Sequence, residues 1–176
     1  MCKKNGIEVL ILTDTVDNFW VNVITNYQEK HFKPVSQASL TIDTKEDTQE
    51  ILDEDKNKAL LEYFEKTLGE NIASVQVSKK LVESPVCLSQ NEGGMSIRME
   101  RYLYEQKQLP FLSPKILEIN PNHTILEEIY TAIKNGKDAS PKVHTLFDIA
   151  CIEAGDIIKK PSELAKRMVE LLEGKA

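Results

Sequence analysis

K-I-L-E-I-N-P-N-H-T-I-L-E-E-I-Y-T-A-I-K, Lys115 to Lys134, decides how the rest of the chain is read. Lys115 to Ile119 is a short apolar run of strand length. Asn120-Pro121-Asn122 then breaks it. Ile125, Leu126, Ile129, Tyr130 and Ile133 follow at helical spacing and form one apolar stripe. Asn122 is the expected N-cap, and Gly136 is the expected stop. A strand feeding a helix through a polar turn marks a mixed α and β fold.

Working outward, two more strands are expected close to this one. Ala73 to Ser78 alternates Val75 and Val77 with polar neighbours, and Val86 to Ser89 follows Pro85. A helix is expected from Met95 to Glu105. Its Met95, Met99, Tyr102 and Leu103 fall at i, i+4, i+7 and i+8. Most such stripes are core, but methionine also builds adaptable binding surfaces. Upstream, Ala59, Leu60, Leu61, Phe64 and Leu68 keep a helical period that Gly69 closes. Leu40 to Asn57 is rich in acids and reads as a linker whose later part turns helical.

The N-terminal segment differs. Ile7 to Thr13 is a nearly continuous apolar run, the pattern of a strand covered on both faces. Val16, Phe19, Trp20, Val23, Ile24 and Tyr27 form a helical stripe, and Phe32 to Ser36 is expected to return as a strand. The unit is thus expected to be a right-handed βαβ crossover. Two strands cannot cover both faces of such a run, so the unit reads as the tail of a larger α/β domain. Met1 is accordingly expected to be an internal position of a longer protein.

At the other end, Ser140-Pro141 is an expected N-cap and first turn. The helix after it carries Val143, Leu146, Phe147, Ile149, Ala150, Cys151, Ile152 and Ala154. Only His144, Thr145, Asp148 and Glu153 interrupt it. A helix apolar around most of its circumference needs cover on two sides. The last helix, from about Ser162, carries Leu164, Ala165, Met168, Val169, Leu171 and Leu172. Pairing of these two helices with their own copy would supply the cover as a four-helix bundle. The alternative cover is Tyr130 and Ile133 together with the sheet.

Composition narrows the function. The 176 residues hold 22 Lys and Arg against 28 Asp and Glu, a net charge of −6. That balance argues against a nucleic-acid partner, which would need clustered positive charge. No apolar run reaches the roughly 18 to 20 residues of a membrane span. Cys2, Cys87 and Cys151 lack zinc-site spacing and read as reduced thiols. No metal site, cofactor site or catalytic constellation is expected. Asp14 and Asp17 follow a strand end, where α/β folds often bind Mg²⁺. They support the alternative of a small α/β enzyme or receiver-like phospho-switch. Their ordinary use is to cap a helix.

Several segments together carry a resemblance: E-V-L-I-L-T-D (Glu8 to Asp14), F-K-P-V-S (Phe32 to Ser36), S-P-V-C-L (Ser84 to Leu88), N-E-G-G-M-S (Asn91 to Ser96) and I-L-E-I-N-P-N-H (Ile116 to His123). In this order they resemble the C-terminal part of heat shock protein 90 chaperones, above all the bacterial form. The resemblance implies an α+β chain in three parts. Residues 1–40 would be the βαβ end of a middle domain, and 41–52 an acidic linker. Residues 53–176 would be a C-terminal dimerisation domain with a small three-stranded sheet, flanking helices and a terminal helix pair. That pair would form an intermolecular four-helix bundle, with Val143, Leu146, Phe147, Ala150, Leu164, Met168, Leu171 and Leu172 at the interface.

The resemblance also implies that Met95, Met99, Tyr102 and Leu103 face the cleft between protomers and touch non-native client proteins. A second client patch maps onto Asn18 and Phe19, where the family's acid is missing at Asn18. Lys160 replaces an acidic N-cap before Pro161, so the last helix is expected to start at Ser162 or later. The family's ATPase lies in an N-terminal domain, so this chain is not expected to be an enzyme. Its partners would be a second copy and client proteins, in the bacterial cytoplasm.

Overall fold

The computed structural model describes residues 7–14, 16–32, 53–78, 81–90 and 94–174. Among these the chain is mixed α and β. In order come α1 (Asp17–Val23), β1 (Asn26–Tyr27), β2 (Lys30–His31), α2 (Glu54–Leu68), a 3-10 turn (Gly69–Asn71), β3 (Ile72–Val77), β4 (Val86–Ser89), α3 (Ile97–Glu105), β5 (Lys115–Ile119), α4 (Thr124–Lys134), α5 (Ser140–Ala154) and α6 (Pro161–Leu172).

β5 is the centre of a three-stranded sheet in the order β3-β5-β4. It runs parallel to β3, with Ile72 opposite Lys115 and Val77 opposite Ile119. It runs antiparallel to β4, with Val86 opposite Ile119 and Ser89 opposite Ile116. All five β5 residues are buried, as expected of a middle strand. Leu117 and Ile119 join Leu60, Phe64 and Leu68 of α2, Leu126 and Ile129 of α4, and Val143, Leu146 and Ala150 of α5 in one core. Each fully buried Leu, Ile, Val or Phe among them contributes about 1.5–3 kcal/mol.

Local chemistry fixes the helix ends. Asp53 accepts the Lys56 backbone N–H at 2.9 Å and starts α2. Gly69, at φ 52°, ends it in a conformation that a side chain would strain. His123, not Asn122, caps α4, with its Nδ1 accepting the Ile125 N–H at 3.2 Å. Asp138 does the work expected of Ser140. Its Oδ1 accepts the Ser140 N–H at 2.9 Å, and Ser140 becomes the first helical residue of α5. The last helix begins at Pro161, without a side-chain cap at Lys160, so neither a Ser162 start nor a later one is needed.

The βαβ expectation for the N-terminal segment is corrected. Residues Ile7 to Thr13 form no strand, and Val9, Leu10 and Ile11 are exposed. An apolar run becomes a strand only beside another strand, and none lies next to this one among the described residues. The helix survives as α1. After it, β1 and β2 pair antiparallel, with Asn26 opposite His31. A tight hairpin, turned through Gln28 and Glu29 at positive φ, thus follows the helix ahead of the expected return strand. Residues 33–36 of the expected return strand, and the linker residues 41–52, lie outside the described residues.

Candidate functional site: an outward-facing apolar helix and a terminal helix pair

α3 is mounted with a charge inward. Ser96 caps it, accepting the Met99 N–H at 3.2 Å. One turn on, Glu100 is only 7% exposed. Its carboxylate pairs with Lys115 Nζ of β5 and accepts the Ser113 N–H at 2.6 Å and the Ser113 hydroxyl. Lys115 also donates to the Ser113 carbonyl at 2.6 Å. Burial works against the Glu100 charge, but Lys115 and Ser113 outweigh it and hold the carboxyl below the usual range. Ile97 is the other buried residue of α3. Arg101 Nη1 donates to the Gly155 carbonyl at 3.1 Å, tying α3 to the end of α5.

With Glu100 and Ile97 inward, the apolar stripe turns away from the core. Met95 is 41% exposed and Tyr102 44%. Met99 and Leu103 are half-buried. Phe19 of α1 is exposed and meets Tyr102 edge-on, with ring centroids 6.3 Å apart and planes at 87°. The five residues singled out as a client surface therefore include one pair in direct contact across two segments. Phe111, in the loop after α3, is 70% exposed. No spacing rule in the sequence distinguishes it from a core phenylalanine.

The terminal helices are divided differently from expectation. Val143, Leu146, Ala150 and Leu164 are buried within the chain itself, which leaves them no surface for a second chain. α5 packs on β4, α2 and α6, so sheet and helices cover one of its faces. Tyr130 and Ile133 pack at the edge of the same core. Phe147 and Leu171 are half-buried. Met168 is exposed, and Leu172 is 87% exposed. Ile149 and Ile152 of α5 and Val169 of α6 are also exposed and were not among the expected interface residues. The signal was present: Ile149 and Ile152 lie on the side of α5 away from Val143, Leu146 and Ala150.

Asp148, an apparent interruption of α5, is buried and paired with Arg167 of α6. Burial raises its carboxyl, and the Arg167 guanidinium opposes that. Thr145 donates its hydroxyl to the Pro141 carbonyl at 2.8 Å. Cys151 is buried, and burial pushes its thiol up to about 12, with Asp156 and Asp148 adding to the effect.

Asp14 and Asp17 are engaged in local hydrogen bonds at the start of α1, whose N-cap, Val16, makes no side-chain cap. The Asp14 N–H donates to Asp17 Oδ2 at 2.9 Å, and the Val16 N–H to Asp14 Oδ1 at 3.2 Å. Trp20 Nε1 donates to Asp17 Oδ1 at 2.8 Å, the main cause of that carboxyl's lowered pKa. Among the described residues no group of three or more His, Cys, Asp or Glu side chains is placed to hold a metal ion. None of the described helices is long and apolar enough to cross a membrane.

A small α+β domain that holds one helix by its charges and presents its methionine and tyrosine side chains can offer adaptable apolar surface. The family comparison places it in a class. A family model described as Hsp90 protein matches residues 1–176, and the chain belongs to that family. It is 38% identical over 174 residues to the Chaperone protein HtpG of Rickettsia massiliae (strain Mtu5), covering 95% of this chain. It is 39% identical over 180 residues to the Chaperone protein HtpG of Wolbachia sp. subsp. Brugia malayi (strain TRS), covering 96%. In both cases the match spans 28% of the relative's length, so the chain corresponds to only part of these chaperones.

Proposed function

We propose that this chain is the dimerising and client-holding portion of an ATP-dependent chaperone of the bacterial cytoplasm. In this reading α5 and α6 meet the same pair from a second copy. Ile149, Ile152, Met168, Val169 and Leu172 form the contact, and Leu171 and Phe147 lie at its margin. Association makes two chaperone arms intramolecular to one another and raises their effective concentration. The outer face of α3 and Phe19 then offer apolar surface to non-native proteins, which expose similar surface. Nucleotide chemistry belongs to the part of the chaperone outside this chain.

The observation that carries the reading is the orientation of α3. A helix normally buries its apolar stripe and exposes its charges. α3 buries Glu100 and exposes Tyr102, and Met95 just ahead of the helix is exposed with it. Leaving such side chains in water costs stability, so a binding role is the economical account of the arrangement.

The test is the pair Met95→Ser with Tyr102→Ser. Both sites are exposed, so stability should change by no more than about 0.5 kcal/mol per site. Affinity for a reduced, alkylated and fluorescently labelled unfolded protein, read by anisotropy, should fall roughly tenfold or more. Unchanged affinity with an intact fold would remove α3 from the site.

A further inference from the structure

β3 is an edge strand. It pairs with β5 on one side, and no strand lies on its other side among the described residues. The Ser78 N–H donates to the Ile119 carbonyl at 2.8 Å, toward β5. Backbone direction alternates along a strand, so Val75 and Val77 present their N–H and C=O groups to the outer side. The Val75 N–H accordingly meets Glu65 Oε1 of α2, at 3.3 Å. A side-chain carboxylate thus stands where a neighbouring strand would offer a carbonyl.

The surroundings suit a further strand. Past the register shift between Ile72 and Ser74 the ladder with β5 is regular. Ser74 to Val77 holds no charge and no proline, two devices by which edges usually avoid further pairing. Beside this edge α2 leaves a shallow cleft of about 430 Å³, with Leu61 and Val77 as its apolar lining. Glu54, Glu62 and Glu65, all exposed, line it against a single cation among the described residues, Lys58.

We propose that the outer edge of β3 is a docking site for an extended segment of another protein that carries lysine or arginine among apolar residues. The segment adds as a strand. One of its carbonyls takes the Val75 N–H from Glu65, and another accepts the Val77 N–H. The released Glu65 carboxylate, with Glu54 and Glu62, meets the basic side chains, and an apolar side chain settles on Leu61 and Val77. Main-chain bonds supply the affinity and the side chains choose the partner. The same acids set two copies of this edge against pairing with each other, since facing like charges cost free energy. The site uses none of the residues assigned above to client or dimer contacts, so it goes beyond that reading.

The probe is a short fluorescein-labelled peptide that alternates valine with lysine, titrated against the full chain at low salt and read by anisotropy. Amide NMR follows Val75 and Val77 in parallel. Saturable binding is expected, with slowed exchange of the Val77 amide. Glu54→Lys with Glu62→Lys should bind roughly tenfold or more weakly. Both sites are exposed on α2, and circular dichroism checks that the fold persists. A copy of the peptide N-methylated at its central residues keeps the charge but cannot pair as a strand, and it should not bind. No binding of the parent peptide, or binding that leaves the Val77 amide unchanged, would overturn the proposal. Equal affinity for the N-methylated copy would also overturn it, because charge alone would then account for the binding.

Discussion

Glu100→Gln removes the charge that anchors α3. Glu100 and Lys115 have side chains 9% and 5% exposed, and the Glu100 carboxylate takes donors from Lys115 and from Ser113. Gln keeps the shape and can still accept from Ser113. It leaves a buried ammonium without its counter-charge. Breaking a buried pair from one side costs about 3–5 kcal/mol, because the remaining charge stays desolvated. Removing both charges, as Glu100→Met with Lys115→Met, should recover most of that loss, since a buried pair and an apolar substitute are often close in stability. Urea unfolding followed by far-UV circular dichroism, at one fixed protein concentration, reads both variants.

The pH dependence has a defined sign. The Glu100 carboxyl is lowered in the folded chain, so the pair's contribution is complete above the ordinary 4.5 and fades as pH falls through the lowered folded value. The gap between native and Glu100→Gln should close in the same window. A single variant as stable as the native chain, or a double variant no better than the single, would refute the view that this pair sets the helix orientation.

Four further outcomes follow from burial and backbone geometry. Phe64→Ala should cost about 3–5 kcal/mol, because Phe64 is fully buried. Phe111→Ala should stay within about 0.5 kcal/mol in the same urea assay. Gly155 sits at φ 75°, and a Cβ there would lie 3.3 Å from Arg98 Cγ and Nε. Gly155→Ala should therefore lose about 1–2 kcal/mol, read as a lowered melting temperature. Cys151, with its thiol pushed up to about 12, should resist brief alkylation at neutral pH until the chain is unfolded. Peptide mapping of the modified chain reads this directly.

Much of the C-terminal fold was legible because its signals are local. The strand at Val86–Ser89 and the one at Lys115–Ile119 coincide with the observed β4 and β5, and β3 is displaced by one residue. Gly69 and Gly136 mark real helix ends. The N-terminal segment was misread because strand formation depends on a neighbour that the pattern of Ile7 to Thr13 cannot supply. The capping roles of His123 and Asp138 were missed because both compete with more usual capping residues next to them.

The terminal helices show the same limit at longer range. Asp148 and Arg167 lie 19 positions apart, so neither residue's pattern reveals the pairing that buries Asp148. Once it is buried, the cover required by α5 changes. Val143, Leu146 and Ala150 turn inward, and Ile149 and Ile152 are left outside. For α3 the spacing of Met95, Met99, Tyr102 and Leu103 drew a stripe, of which Met95 falls ahead of the helix and Met99 and Leu103 are half-buried, but gave no direction. Glu100 meeting Lys115 decided that.

The most direct test of the account is sedimentation equilibrium across a concentration series at neutral pH, on the native chain and on Ile152→Asp with Leu172→Asp. Both sites are exposed, so the variant should keep its helix content and thermal transition. The account predicts a native dimer and a folded monomeric variant. A native monomer at every concentration, or a variant that dimerises as tightly as the native chain, would contradict it.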